Sequence, residues 1–239
     1  MNTKIPNRLN KSALISVSFE IRFEASEVYS DLIALNLANA LIKNGGGALL
    51  NLPVMQIPPS IRSNDLNFRY APMFGVKTGD QIVQVGPRVL VVTVEKYPGW
   101  KNFYSIIKAS LNHTSEIRQR TERLGLRTIN FFEDNDITNN LTTVIQNGVS
   151  LEKKSCNFSI IYKEGDSQAR FSFANNSIMT KKGESEKRGS YIDIDSFMEG
   201  SPKDMDSALE SLHNLSKKVF FESLKQDFID SLEPNYDVT

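Results

Sequence analysis

The sequence predicts an α+β fold in which an antiparallel sheet carries helices on one face and is built from two β-α-β-β-β-α halves, 1–124 and 125–239, forming one compact unit. Three observations predict it. Residues 14–23 alternate strictly between apolar and polar, residues 100–117 and 205–228 carry apolar stripes at helical spacing, and the order of strand and helix patterns in the first half recurs in the second. With 239 residues, 40% of them hydrophobic and 23% charged, the chain can bury a substantial core.

The first strand is expected over 14–23, with Ile15, Val17, Phe19, Ile21 and Phe23 facing inward and Ser16, Ser18, Glu20 and Arg22 outward. Ser26 is the expected cap of a following helix, and Val28, Leu32, Leu35, Ala38 and Ile42 form its stripe until Gly45-Gly46-Gly47 stops it. Pro53, Pro58 and Pro59 mark a long connection. Short strands are expected at 66–70, 81–85 and 89–95, the last two joined by a turn at Gly86-Pro87-Arg88. Tyr97-Pro98-Gly99 ends the sheet, and the spacing of Trp100, Phe103, Ile107, Leu111 and Ile117 predicts a long helix ending at Leu124-Gly125. The second half is expected to run as a strand at 126–132, a short helix at 137–146, strands at 155–162, 168–173 and 191–196, and a terminal helix carrying Met205 to Phe228. This layout resembles the TATA-binding-protein-like fold class in topology alone, and topology carries no function with it.

Lys and Arg total 28, as do Asp and Glu, so the net charge is zero, which argues against an obligate polyanion binder or a polybasic membrane sensor. One Cys and two His cannot supply a Cys/His zinc set, so a metal would have to rely on carboxylates. The N-terminus lacks the apolar stretch of a signal peptide and no apolar run is long enough to span a bilayer, so a cytoplasmic protein without membrane association is expected.

With helices on the apolar face, the other face of the sheet is expected to present Ser16, Ser18, Glu20, Arg22, Thr128, Asn130, Asn157, Ser159, Arg170, Ser172, Asp193 and Asp195. This mixed list has too few cations and no apolar wedges for a DNA saddle, so nucleic-acid binding is disfavoured. A protein segment, a second copy or a small polar ligand fits it better, and a merely solvated face is the plain alternative.

Asp193-Ile194-Asp195 puts two carboxylates on one side of a strand, which makes Asp193 and Asp195 candidate Mg²⁺ ligands, although such pairs are common on solvated strands. Gly45-Gly46-Gly47 follows a helix instead of leading into one and lacks the Lys-Ser/Thr of a phosphate loop, so it reads as a helix stop, and no cofactor is expected. His113 and His213 have no partner at ligand spacing, and Cys156 shares a face with Phe158 and Ile160, which predicts a buried, inert thiol. Lys181, Lys182, Lys187 and Arg188 alternate with Glu184 and Glu186 in a hairpin loop that could touch phosphate. Trp100 is either a cap on the core or an exposed anchor for a partner.

The strings at 13–23 and 84–90, Tyr97-Pro98-Gly99-Trp100, the string at 125–131 and Phe220-Phe221-Glu222-Ser223-Leu224 together resemble a sporadically distributed, uncharacterised bacterial family. The resemblance spans nearly the whole chain and implies no reaction, cofactor or catalytic residue. Its patchy distribution implies an accessory role in defence or toxin neutralisation. No catalytic constellation is found, so a non-catalytic protein-binding module is expected, joining a partner protein or itself through Arg22, Trp100, Arg127 and Arg170. A nucleic-acid accessory using the basic loop with Arg22, Arg127 and Arg170, or a carboxylate metal enzyme at Asp193 and Asp195, is the alternative.

Overall fold

The computed structural model describes residues 5–25, 30–115, 118–143, 155–180, 183 and 185–236. It is mixed α+β with a large antiparallel sheet and five α-helices among these residues. The chain divides into two compact units: a first of 16–126 with 197–208, and a second of 1–15, 127–196 and 209–239.

The second unit begins with a two-residue strand, β1 (Arg8–Leu9). Strand β2 (Leu14–Ala25) then realises the expected alternation, with Val17, Phe19, Ile21 and Phe23 buried. In the first unit β2 pairs with β6 (Val89–Val94), which matches Phe19 with Val92 and Ile21 with Leu90. The order there is β3 (Ala48–Asn51), β4 (Phe74–Thr78), β5 (Gln81–Gly86), β6, β2, and then the first half of β7 (Arg118–Glu133). Helix α1 (Ser30–Gly45) packs on β4 and β5. It ends at the glycines, where Gly46 takes φ +70° and its amide donates to the Ile42 carbonyl at 2.8 Å. The expected cap Ser26 and Val28 lie outside the described residues.

Several expectations give way. Helix α1 buries Ala34, Leu37, Ala38 and Leu41 and leaves Leu32 exposed. Residues 31–42 are apolar on more than one side, so periodicity alone does not select the face that meets the sheet. The long connection contains β3 and a short helix, α2 (Pro59–Asn64), and the strand expected at 66–70 is a single 3₁₀ turn, Leu66–Phe68. There the Asp65 carboxylate accepts from the Asn67 amide at 2.8 Å and closes the turn locally.

Helix α3 (Trp100–Asn112) lies on β6 and ends twelve residues before the expected stop at Leu124, because Arg118 to Leu124 belong to β7. Ile117 lies outside the described residues. The strand is held there by Ser201, whose hydroxyl accepts from the Thr121 amide and donates to its carbonyl, both at 3.0 Å.

The second unit orders the latter half of β7, β10 (Lys187–Glu199), β9 (Ser167–Met179) and β8 (Asn157–Glu164). The helix expected at 137–146 is a 3₁₀ turn at Thr138–Asn140 within the described residues, and 144–146 lie outside them. The terminal helix is broken into α4 (Met205–Glu222) and α5 (Gln226–Ser231). Leu224 leaves the helix to bridge Leu141, and the Lys225 amide donates to the Asn140 carbonyl at 2.7 Å. Phe171, Phe173, Ile192 and Ile194 from the strands meet Leu215, Val219 and Phe221 of α4, Leu224 between the helices and Phe228 of α5 in one core. Gly189 is needed in β10, since a Cβ there would stand 2.1 Å from the Phe132 carbonyl oxygen. Strand β11 (Pro234–Asn235) pairs with β1.

Candidate functional site

Strand β10 alternates Ile192 and Ile194 into the core against Tyr191, Asp193 and Asp195 on the other face. On neighbouring β7 the faces are opposite to those expected. Thr128 Oγ1 lies 3.4 Å from Ser216 Oγ on α4, and Phe132 stacks against Phe228 with ring centroids 5.5 Å apart, so Thr128, Asn130 and Phe132 form the helix-facing row. Thr128 therefore does not belong to the open face. Arg127 does, and the sequence gives no local cue for that parity.

The Arg127 fork meets Asp193 with both arms, Nε donating to Oδ1 at 2.8 Å and Nη2 to Oδ2 at 2.5 Å. The Asp193 side chain is 12% exposed and that of Arg127 52%, so the carboxylate anchors a cation whose far side remains in water. Hydrogen bonding to Asp193, aided by the charges of Asp195 and Tyr191, holds the guanidinium above its usual range despite desolvation. Farther along this face Arg170 is exposed opposite Ile161, and Ser159 Oγ lies 3.1 Å from Ser172 Oγ.

This arrangement bears on the candidate Mg²⁺ ligands. Both Asp193 oxygens already accept from Arg127, so a cation at this strand would first have to displace the guanidinium. Among the described residues no group of three or more His, Cys, Asp or Glu side chains could hold a metal ion.

The first unit carries a second set of charges, around Arg22. Glu20 Oε1 accepts from Arg123 Nη1 at 2.8 Å and lies 2.8 Å from Arg22 Nε, a charge contact without hydrogen-bond geometry. The Arg22 guanidinium sits 5.0 Å from the Tyr70 ring centroid, with Arg69 5.2 Å from the same ring. The Tyr70 hydroxyl donates to Glu122 at 2.6 Å, and Arg69 Nη2 donates to the same carboxylate at 3.0 Å. Burial, and then that hydrogen bond, raise the Tyr70 pKa. The Arg123 guanidinium stacks 4.8 Å from the Phe197 ring centroid and folds over Gly125, whose missing Cβ would stand 2.5 Å from Arg123 Nη1.

Sequence reasoning missed Arg69, Tyr70, Glu122 and Arg123 because it placed the first two on a strand and the last two on a helix. In Arg120-Thr121-Glu122-Arg123 only Thr121 is β-branched while Arg and Glu favour helix, so no local signal marked these residues as strand.

Trp100, at the start of α3, is half-buried and tilts against Tyr104 with centroids 5.7 Å apart. Cys156 is half-buried where a buried thiol was expected, and its amide donates to Asn175 Oδ1 at 2.6 Å. In the basic hairpin Lys181, Lys182 and Glu184 lie outside the described residues, while Lys187 begins β10 and donates to Glu133 at 2.8 Å. No described helix is long and apolar enough to cross a membrane.

A scan against models of known protein families gives no match. A search of curated protein sequences likewise gives none.

Proposed function

We propose that the protein is a non-catalytic protein-binding module whose contact surface is the open face of the second unit, centred on Arg127. The observation that carries this reading is the bidentate Arg127–Asp193 pair. It fixes a half-exposed guanidinium in one orientation beside Tyr191 and Asp195, so little side-chain entropy is left to lose on binding. Arg and Tyr are the residue types most often found at the energetic centres of protein interfaces. Arg170 adds a second exposed cation to this face, while Arg22 and Trp100 belong to the other unit.

The charge pairing favours a protein over a nucleic acid. Arg127, Arg22 and Lys187 each have a carboxylate within 2.8 Å, so a phosphate backbone would compete with ties already made. The family resemblance suggests a partner encoded alongside the protein in a bacterial defence or toxin–antitoxin locus. For the fold we also propose the TATA-binding-protein-like pseudo-duplication. Its support is the order of strand, helical segment, further strands and closing helix, which runs from β2 to α3 with four strands after α1 and from β7 to α4 with three after the 3₁₀ turn.

Native mass spectrometry of the protein isolated from its host, with its gene neighbourhood intact, tests the function. A second polypeptide at fixed stoichiometry that is lost on Arg127→Ala, with the circular dichroism spectrum unchanged, is expected. Isolation without any other polypeptide overturns the reading, as does binding of DNA or RNA that weakens steeply with salt.

A further inference from the structure

On the first unit, Arg22, Arg69, Arg123, Glu20, Glu122 and Tyr70 form one chain of contacts beside the polar row of β2. Glu20 Oε1 accepts from Arg123, while Glu122 accepts from Arg69 with one oxygen and from the Tyr70 hydroxyl with the other. The two carboxylates are largely covered, at 25% and 19% exposure, and three guanidiniums share them.

Arg22 is the cation left over. It makes no hydrogen bond among the described residues. Its Nε is buried without a partner, because the 2.8 Å contact with Glu20 Oε1 lies outside hydrogen-bond geometry. The two terminal nitrogens are likewise unbonded and reach solvent, the side chain being 36% exposed. Below them the Tyr70 ring, tied down by Glu122, supports the guanidinium 5.0 Å from its centroid. Of the other carboxylates close by, Glu24 lies 3.4 Å from Arg120 and Glu199 lies 3.9 Å from Arg123, and neither makes an ion pair with Arg22.

We propose that Arg22 is a carboxylate-binding point of the first unit, taking an acidic side chain or a chain-terminal carboxylate of a peptide segment. A guanidinium with a held stem and an unspent terminal fork matches a planar carboxylate through two parallel N–H bonds. The contact chain carries one cation more than it has carboxylates, which suits a single negative charge. A phosphate dianion fits it less well, since the second charge would lie against Glu20 and Glu122. This site is separate from the contact assigned to Arg127 and does not depend on it.

The isotope-labelled full chain, followed by NMR through the arginine Nε–H signals at low ionic strength, tests the proposal. The Arg22 signal is assigned through its connection to the backbone. Three peptides serve as probes: acetyl-Ala-Glu-Ala-amide with a side-chain carboxylate, acetyl-Ala-Gln-Ala with a terminal one, and acetyl-Ala-Gln-Ala-amide with none. The Arg22 signal should shift saturably at millimolar concentrations of a carboxylate peptide and stay in place with the neutral one. If one carboxylate binds and the other does not, the source is named; if both bind, the tighter names it. Glu20→Gln removes the nearest competing charge and should tighten binding several-fold, and Tyr70→Leu removes the support and should weaken it several-fold. Absence of a shift with either carboxylate, or an equal shift with the neutral peptide, overturns the proposal without recourse to any variant. So does inorganic phosphate that binds tighter than both peptides at equal ionic strength, or a folded Glu20→Gln protein that binds as the wild type does.

Discussion

His213 on α4 makes the stability of this protein depend on pH in a calculable way. Burial, reinforced by the charge of Lys217 one turn on, pushes its imidazole down from 6.5 to about 4. Below the unfolded value the unfolded chain takes up a proton that the folded chain refuses until about pH 4, so stability falls as pH drops through this window. That depression corresponds to about 3 kcal/mol in all, and roughly 2 kcal/mol of it should be lost between about pH 7 and 5. His213→Gln removes the titration while keeping a polar side chain of similar length. Urea unfolding of both proteins at several pH values, followed by circular dichroism, isolates the contribution of this group because the carboxylates are common to both. The wild type should lose about 2 kcal/mol more than the variant over that interval. Parallel stability curves would refute the reasoning and mean that the imidazole is hydrated in the folded protein.

Phe171→Ala, at a fully buried ring, should cost about 3–5 kcal/mol in the same unfolding assay, and a loss below about 1 kcal/mol would contradict the core assignment. Gly189→Ala forces a methyl group against the Phe132 carbonyl and should destabilise by at least about 1–3 kcal/mol. Gly45→Ala, with nothing within 4 Å of the new Cβ, should be neutral or slightly stabilising, so equal effects of the two substitutions would refute the close approach at Gly189. Arg127→Ala removes both donors from a buried carboxylate but leaves water able to reach the site, so a loss of about 1–2 kcal/mol is expected, between the values for exposed and buried pairs. A double-mutant cycle with Asp193→Asn measures the coupling, and additivity within about 0.3 kcal/mol would show that the pair is not formed in solution.

Where local pattern and tertiary demand agree, the sequence was legible. The alternation of β2, the turn between β5 and β6, the start of α3 and the glycine stop of α1 all reflect short-range backbone preferences that packing reinforces. The candidate site was legible only as a set of residue types. Arg22, Arg127, Arg170, Asp193 and Asp195 could be picked out, but the partners of Arg127 and Arg22 could not, because Asp193 lies 66 residues from Arg127 and Tyr70 belongs to a segment misread as a strand.

By itself, then, the sequence determined the α+β class, most strands and helix starts, and the absence of a Cys/His zinc set, since these follow from composition and near-neighbour periodicity. Only the tertiary structure decided which side of α1 is buried, that Arg118 to Leu124 join a strand, and which face of β7 meets the helices. Those choices rest on ladder bonds and side-chain contacts between segments far apart in the chain. In β7, Leu126 and Phe132 on one row and Ile129 and Phe131 on the other are almost equally apolar, so α4 and α5, not the local pattern, set the row that turns inward and leave Arg127 facing out.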